Sequence, residues 1–470
     1  GCNRSTVLDT LHRQTRLMVV VRKAATVVRM PLSNPSADTR EHTEEDTEEA
    51  DFYVRSSVRR NMALRTSLRS ALFVDTTHHS RSLFPLPNPL SVYTEYSSFH
   101  SIDISKCRVL SSANYPLLLA FREGPLPSPS RFLLYKGSDD LHQDALVVQM
   151  FRYMDRLLVA HGVDLRMELY SVLPTGPQEG LVEWIADATP LAKVIKKYSR
   201  DERGTDDERH REKREDSERN RMGAPQEGNG RLTSLCSDVC DSVIEKHARA
   251  FTENTWRRDD STNVGTSQTW NSNDAVAPTE ITRFSCIRNF LAAKSSDVDS
   301  AMSKFVSTCA GNSVMTFVLG VGDRHLDNIL LLPSGAVMHC DFGYCFGRDP
   351  GHMIYSSKLR FTKEMLEAMG GDNSVYFSNF QTSLASAYIV LRRNASLLFN
   401  MVRSMADAGI SDLSVNQSVA ETLSGLEARL RLDLDEQEAG GFIKSLAREN
   451  ARSFMPVIMD KMHEIASYFR

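Results

Sequence analysis

Asn328 and Asp341 are the pair of side chains best suited to hold a hard divalent cation, and the residues around them say how they would meet. They lie in the stretch from Gly320 to Pro350, GVGDRHLDNILLLPSGAVMHCDFGYCFGRDP. A polar loop, Gly322 to Asn328, is followed by an apolar run, Ile329 to Leu332, and by Pro333-Ser334-Gly335, a turn signal. A second apolar run, Ala336 to Cys340, delivers Asp341-Phe342-Gly343. Two short apolar runs around a Pro/Gly turn predict a β-hairpin, whose start and end lie close together. An amide oxygen beside a carboxylate suits Mg²⁺, which keeps waters and takes further ligands from phosphates. Phosphoryl transfer needs that metal, a group for the nucleophile's proton and a lysine on the nucleotide phosphates. Asp323 and His325 both qualify for the proton, and the residues leave the choice open. A polar hairpin with a capping Asn and a turn Asp would explain an isolated Asp-Phe-Gly. It does not explain Asp323-Arg324-His325 with Asn328 on one side of a hairpin and Asp-Phe-Gly on the other.

The order of letters carries more. Protein kinases of the usual type read His-Arg-Asp and then Asn; here the order is Asp323-Arg324-His325 and then Asn328. This resembles the phosphatidylinositol 3-/4-kinases and their large protein-kinase relatives. GVGDRHLDNILL and DFGYCFGRDP are most similar to a class III phosphatidylinositol 3-kinase, with Gly347-Arg348-Asp349-Pro350 the more discriminating part. The resemblance implies an α+β, bilobal kinase-like fold, with an antiparallel β N-lobe and a mainly helical C-lobe. It implies transfer of the ATP γ-phosphate to the 3-hydroxyl of phosphatidylinositol with Mg²⁺ or Mn²⁺, in the service of endocytosis and autophagy. It also implies a cytoplasmic protein, peripheral on endosomal and autophagosomal membranes, working with a kinase-like regulatory subunit and a coiled-coil autophagy subunit. Two alternatives stay open: a related lipid or protein kinase with another acceptor, and a catalytically silent scaffold that keeps the fold.

Composition sets broad bounds. The 470 residues suffice for two or three domains, and a chain opening on Gly1 is expected to be a fragment or a processed form. Acidic and basic residues nearly balance, 60 against 56, so no global charge points to nucleic acid. The 8 cysteines show no disulfide framework. Cys236 and Cys240, with His247 beyond, lack the second pair a zinc site of usual spacing needs. No secretory signal is evident, and no apolar run approaches the roughly 20 residues that span a bilayer. An enzyme acting on lipid would therefore visit the membrane surface.

The elements that must position these residues fall in three parts. Residues 1–83 carry two helical patterns, about 1–30 and 56–74, around a polar acidic stretch, 35–50, read as a loop or disordered. They resemble the end of the helical region that precedes the kinase domain. Residues 84–185 read as the N-lobe to the hinge, led in by Phe84-Pro85-Leu86-Pro87. Strands at Cys107–Leu110 and Pro116–Phe121 flank a turn whose Ser111 and Ser112 match the family's phosphate-binding loop, although a plain hairpin turn accounts for the residues equally well. Arg131 to Lys136 is a strand ending in the lysine that the resemblance places on the ATP phosphates. Asp139 or Asp140 caps the next helix, and Asp144 at its start either orients Lys136 or is a helix-start carboxylate. Met167 to Val172 is expected as a strand, with Tyr170 at the back of the nucleotide pocket. Glu183, Trp184 and Ile185 match the interlobe hinge, Trp184 suiting an adenine wall or the core equally.

Residues 186–470 read as the C-lobe, with a low-complexity insertion at about 196–280 that matches nothing in the family. Gly351 to Thr362 is the expected activation loop, where His352, Lys358 and Arg360 would face the lipid headgroup. So few cations favour unphosphorylated phosphatidylinositol over its phosphorylated forms. Phe454, Ile458, Met462, Ile465 and Phe469 share one face of a final helix, which packs on its own domain, touches membrane, or does both.

Overall fold

The computed structural model describes residues 4–30, 45–78, 82–87, 98–111, 114–124, 130–198, 285–349 and 359–452. Its N-terminal half is built on an antiparallel sheet. β3 (Ser101–Ile102), β5 (Leu117–Arg122), β6 (Ser130–Lys136), β8 (Glu179–Glu183) and β7 (Val172–Gly176) lie side by side in that order, with β4 (Arg108–Val109) also paired to β5. β5 reads LLLAFR and buries all but its last residue, as a continuous apolar run predicts for a strand covered on both faces. A separate ribbon joins β1 (Leu86–Pro87) to β2 (Ser98–Phe99).

Two long helices close this half. α1 (Arg4–Arg29) and α2 (Glu45–His78) do not form a layer apart from the sheet; they share its core. Leu17, Val21, Ala24 and Val28 recur along one stripe of α1 and are buried with Leu64 and Leu68 of α2 against Leu119, Phe121 and Leu133. The acidic stretch expected as a loop is corrected from residue 45 onward, because α2 begins there. Glutamate and alanine are good helix formers, so the sequence EDTEEA of residues 45–50 can continue a helix despite its polarity. Residues 31–44 lie outside the described residues.

A second expectation also fails. Met167 to Ser171 is not strand; β7 begins at Val172. Side chains take up part of the main-chain bonding that a ladder would provide. Arg152 donates to the Tyr170 carbonyl at 2.9 Å, and Ser171 N–H donates to the Glu183 carboxylate at 3.1 Å. β4, β5 and β6 fall where the apolar pattern puts them: β6 ends on Lys136, and α3 (His142–Ala160) follows with Leu146, Met150, Met154 and Leu158 buried.

The C-terminal half is mainly helical and centres on α6. In chain order it holds α4 (Leu191–Tyr198), α5 (Cys286–Lys294), α6 (Val298–Leu319), α7 (Lys363–Met369), α8 (Val375–Arg393), α9 (Ala395–Ser404), α10 (Val419–Leu430) and α11 (Glu436–Arg452). α6 is apolar nearly all round and buried to match, as a core helix should be. The chain is out of the described residues from 199 to 284, where nearly all of the low-complexity stretch falls. On either side of that gap Tyr198 packs edge-on to Phe290 at 5.6 Å between ring centres, and Asn289 donates to the Tyr198 carbonyl. No helix among the described residues is long and apolar enough to cross a membrane.

Candidate active site

The expected hairpin is present. β10 (Ile329–Leu331) pairs antiparallel with β11 (Val337–His339), and β9 (Thr189–Pro190) adds a third strand beyond β10. Its register sets Ile329 against His339, and the Cys340 N–H donates to the Asn328 carbonyl at 3.1 Å. Asn328 thus stands opposite the residue just before Asp341. The hairpin is clamped to α6: Asn312 donates to the Val337 carbonyl at 2.8 Å, and Val337 N–H donates to the Thr308 hydroxyl at 3.0 Å. At the turn, a Cβ on Gly335 would sit 1.9 Å from the Ala301 carbonyl oxygen, so only glycine permits that approach to α6.

The polar loop before β10 is braced from within by Arg324. Its buried guanidinium donates to the carbonyls of Gly322, Cys340 and Asp341 and lies 5.2 Å above the Phe342 ring. One cation thereby ties both ends of the hairpin together. Asp323 and Asp341 both adopt left-handed backbone, φ 52° and 59°, a conformation asparagine and aspartate visit more readily than other non-glycine residues. Asp323 N–H donates to the Asp349 carboxylate at 3.3 Å, and its carbonyl accepts from the Asn328 amide at 2.9 Å. With its nitrogen spent in this way, the Asn328 amide keeps its oxygen as the end that could serve a cation. The Asp341 side chain is 57% exposed and its carboxylate reaches to 4.0 Å from the Lys136 ammonium. One open carboxylate and one neutral amide oxygen make a donor set that fits a hard divalent ion completed by phosphates and water.

Asp323 and His325 differ in access. The Asp323 side chain is 34% exposed and that of His325 is 9%, with 4.0 Å between the carboxylate and Nε2. Lys136 also reaches Asp139 at 3.3 Å. Burial works against its ammonium, but Asp341, Asp144 and Asp139 outweigh that and hold its pKa above the ordinary lysine value. Asp144 accepts from Phe342 N–H at 3.1 Å. Burial, then the neighbouring Asp341 carboxylate, push it up to about 6. Its placement ties α3 to the Asp-Phe-Gly segment. Asp140 accepts from the backbone of His142 at 3.0 Å, and Asp139 instead takes the Asn114 amide. Tyr170 stacks on Phe342 at 6.5 Å between ring centres, behind the hairpin.

The hinge residues divide. Glu183 is turned back into the sheet, where it accepts from Arg131 and from the Ser171 backbone. Trp184 is half-buried, with its backbone N–H on the Phe132 carbonyl, and Ile185 packs partly buried against the C-terminal core. Ser111 sits at the turn after β4; Ser112, His352 and Lys358 lie outside the described residues, as do the final-helix positions from 453 on and the Cys236–Cys240 pair. Arg360, expected as an open cation for the headgroup, is instead 7% exposed, with its carbonyl accepting from Ser313. The correction has a local reason: Leu359 and Phe361 on either side are fully apolar and buried, and they carry the backbone inward.

Two residues unforeseen in the sequence complete the arrangement. Asp412, in a π-helical turn (Ser411–Val415), is 2% exposed. Its carboxylate accepts from Cys345 N–H at 3.0 Å, from Gln143 at 3.1 Å and from Asn416 at 2.9 Å, and it pairs with Arg348 at 3.2 Å. Gln143 in turn donates to the Phe342 carbonyl at 3.0 Å. The segment after Asp341 is therefore fixed from both halves of the fold. Gly322 is pressed against it as well, since a Cβ there would meet the Arg348 carbonyl oxygen at 2.1 Å. This gives Gly347-Arg348-Asp349 a physical content: a left-handed glycine (φ 91°), a cation on Asp412 and a carboxylate on the Asp323 backbone.

Residues 132–415 match the family described as phosphatidylinositol 3- and 4-kinase. The chain is 28% identical to phosphatidylinositol 3-kinase pik3 of Schizosaccharomyces pombe, over 85% of this chain and 39% of that one. It is 28% identical to phosphatidylinositol 3-kinase VPS34 of Arabidopsis thaliana, over 89% of this chain and 40% of the relative. With phosphatidylinositol 3-kinase VPS34 of Saccharomyces cerevisiae the figure is 29%, over 77% and 32%. The chain thus spans about two fifths of the length of the first two relatives. A kinase family implies ATP and a divalent cation in general terms, and the antiparallel N-terminal half and helical C-terminal half are the two lobes of such a fold. By the match over most of its length, and by a hairpin that sets Asn328, bonded to Asp323, opposite the residue before Asp341, whose carboxylate approaches Lys136, the chain belongs to the phosphatidylinositol 3- and 4-kinase family.

Proposed function

We propose that this chain is the catalytic portion of a lipid kinase that transfers the γ-phosphate of ATP to the 3-hydroxyl of phosphatidylinositol. The observation that carries the reading is the approach of Lys136 to Asp341 across the lobes, with Asn328 and the Asp323 loop brought to the same hairpin end. Similarity to three proteins named phosphatidylinositol 3-kinase supports the acceptor.

In this reading the 3-hydroxyl oxygen attacks the γ-phosphorus in line, the bond to the β–γ bridging oxygen breaks, and ADP leaves. Asp323 or His325 takes the hydroxyl proton; the greater exposure of Asp323 favours it, with His325 poised to stabilise the transferring group. Lys136 stays charged beside its carboxylates and turns to the phosphates when they arrive. Asn328 and Asp341 would hold Mg²⁺ or Mn²⁺, which offsets charge on the transferring phosphoryl group when bound. Ser111 and Ser112 lie on the phosphate side, Asp144 and Tyr170 behind the nucleotide, and Glu183 to Ile185 along its adenine edge, where recognition would run through backbone groups. Of the headgroup cations, His352 and Lys358 keep that assignment, and buried Arg360 serves the loop's base.

Residues 1–83 are then the end of a preceding helical region, 84–185 the N-lobe to the hinge and 186–470 the C-lobe. The enzyme would act as a peripheral protein on endosomal and autophagosomal membranes, with a kinase-like regulatory subunit and a coiled-coil subunit. The test is a kinase assay with radiolabelled ATP on vesicles of phosphatidylinositol, its 4-phosphate and its 4,5-bisphosphate in parallel. Label at the 3-position of phosphatidylinositol alone is the expected result. Label only on the phosphorylated lipids would overturn the acceptor, and nucleotide binding without turnover on any lipid would favour the silent scaffold.

A further inference from the structure

Lys136 sits in a closed ring of contacts that begins and ends on an N-terminal helix. Arg29, the last residue of α1, donates to the Gly137 carbonyl at 2.9 Å and to the Asn114 carbonyl at 3.4 Å. The Asn114 amide donates to Asp139 at 3.0 Å, and Asp139 pairs with Lys136 at 3.3 Å. Lys136 and Gly137 are neighbours in the chain, so the ring closes. A Cβ on Gly137 would meet the Arg29 guanidinium at 2.5 Å, so glycine there is what lets the arginine lie against the strand end.

α2 grips the other side of the same turn. The Arg60 guanidinium lies 3.8 Å above the ring of Tyr115, a residue held in left-handed backbone (φ 45°), and it also donates to the Val28 carbonyl in the last turn of α1. Asn61 accepts from Val109 N–H at 2.8 Å, and Arg65 donates to the Cys107 carbonyl at 3.3 Å. Side chains of α2 thus bond to main-chain groups at and just before β4, while Tyr115, ahead of β5, is covered by Arg60.

We propose that Arg29 and Arg60 are positioning residues for ATP: through them α1 and α2 set Asn114 and Tyr115, just before β5, against the Lys136–Gly137 strand end that would meet the phosphates. The proposal rests on the lipid-kinase reading for its substrate and on the contacts above for its geometry. Neither arginine touches the reacting atoms, and both act through the groups they hold. A structural role alone would lower stability and leave the affinity for ATP where it was.

The experiment compares Arg29→Ala, Arg60→Ala, Arg29→Lys and Arg16→Ala with the parent chain, by KM for ATP, kcat on phosphatidylinositol vesicles, calorimetric Kd for ATP and Tm. Arg16 pairs with Asp75 at 2.6 Å, joining α1 to α2 away from the turn, and so reports what weakening the helix pair does by itself. Arg29→Ala and Arg60→Ala should each raise KM and Kd for ATP about tenfold, with kcat held within about twofold and KM for lipid unmoved. Arg29→Lys, which can still reach one carbonyl, should recover part of the loss. Arg16→Ala should lower Tm with no change in KM for ATP. An unchanged ATP affinity in Arg29→Ala, or an equal rise in Arg16→Ala, would overturn the proposal. A parent chain that binds ATP but phosphorylates no lipid would sink the lipid-kinase reading, while the Kd series would still decide the role of the arginines.

Discussion

The two sides of the cleft are held by different means. On the hairpin side, Arg324, Asn312, Thr308 and Asp412 bond mostly to main-chain groups in the interior, and Gly322 and Gly335 let backbones meet with no room for a methyl. On the phosphate side, Lys136 pairs with Asp139, and Asn114 donates to Asp139, through side chains near the surface. Buried polar networks cost heavily to break and so fix geometry, whereas exposed pairs are weak and easily exchanged. The hairpin side is therefore pre-set, and under the proposed function the other side is the one free to trade carboxylates for phosphate oxygens.

The sharpest way to break this contrast is at its most exposed point on the pre-set side. Asp341→Ala should lower turnover by more than about a thousandfold and Tm by only about 2–6 °C, the cost of alanine in left-handed backbone, since its side chain is over half exposed and its backbone, not its carboxylate, is held by Arg324. A variant retaining most of its turnover would end the metal assignment. Next comes Asp412→Ala, which strips acceptors from Gln143, Arg348 and the Cys345 backbone at once. Urea unfolding should show a loss of about 2–4 kcal/mol, with Asp412→Asn intermediate; a loss comparable to that of a surface substitution would mean the hub fixes nothing.

The smallest effect is in acid, and it should appear on the other side of the molecule. A hydrogen bond from Arg22 holds the Glu179 carboxyl below its ordinary value, and Ser105 first, then Arg122, bring Asp103 down to about 2. A carboxylate depressed by folding stabilises the fold above its unfolded pKa of about 4 and loses that contribution as pH falls through its folded value. Between about pH 5 and pH 2, hydrogen exchange should show α1, β3, which Asp103 directly follows, and β8, which begins on Glu179, losing protection before β10 and β11. The reverse order would show that the hairpin side is the weaker of the two.

What the sequence made legible follows the same division of means. The hairpin could be read because its apolar runs and turn are contiguous and its polar letters have fixed spacing. Lys136 could be read because a strand and a helix start bracket it. Asp412 could not, since its partner Gln143 is 269 residues away and one aspartate in a π-turn leaves no periodic trace. Arg29 escaped for the same reason, and because α1 reads as an ordinary amphipathic helix until its last residue meets the Lys136 strand end. Met167 to Ser171 was misread because extended backbone bonded by side chains has the same letters as a strand. For Arg360 the sign lay in its apolar neighbours Leu359 and Phe361, and its place at the end of an expected loop outweighed them.

The contact of Tyr198 and Asn289 with their partners on α5 and α4 bears on how such a gene can vary. The chain leaves the C-terminal half at the end of α4 and rejoins it at α5, beside the point of departure. Residues added there leave the anchors at both ends in place, and the entropy of closing a longer loop grows only with the logarithm of its length. A single codon gained within the β10–β11 turn would be another matter, shifting Asn328 out of step with Asp341. The coding sequence is thus expected to tolerate many residues at one place and none at the other, and length variation alone should mark which parts of the chain carry the chemistry.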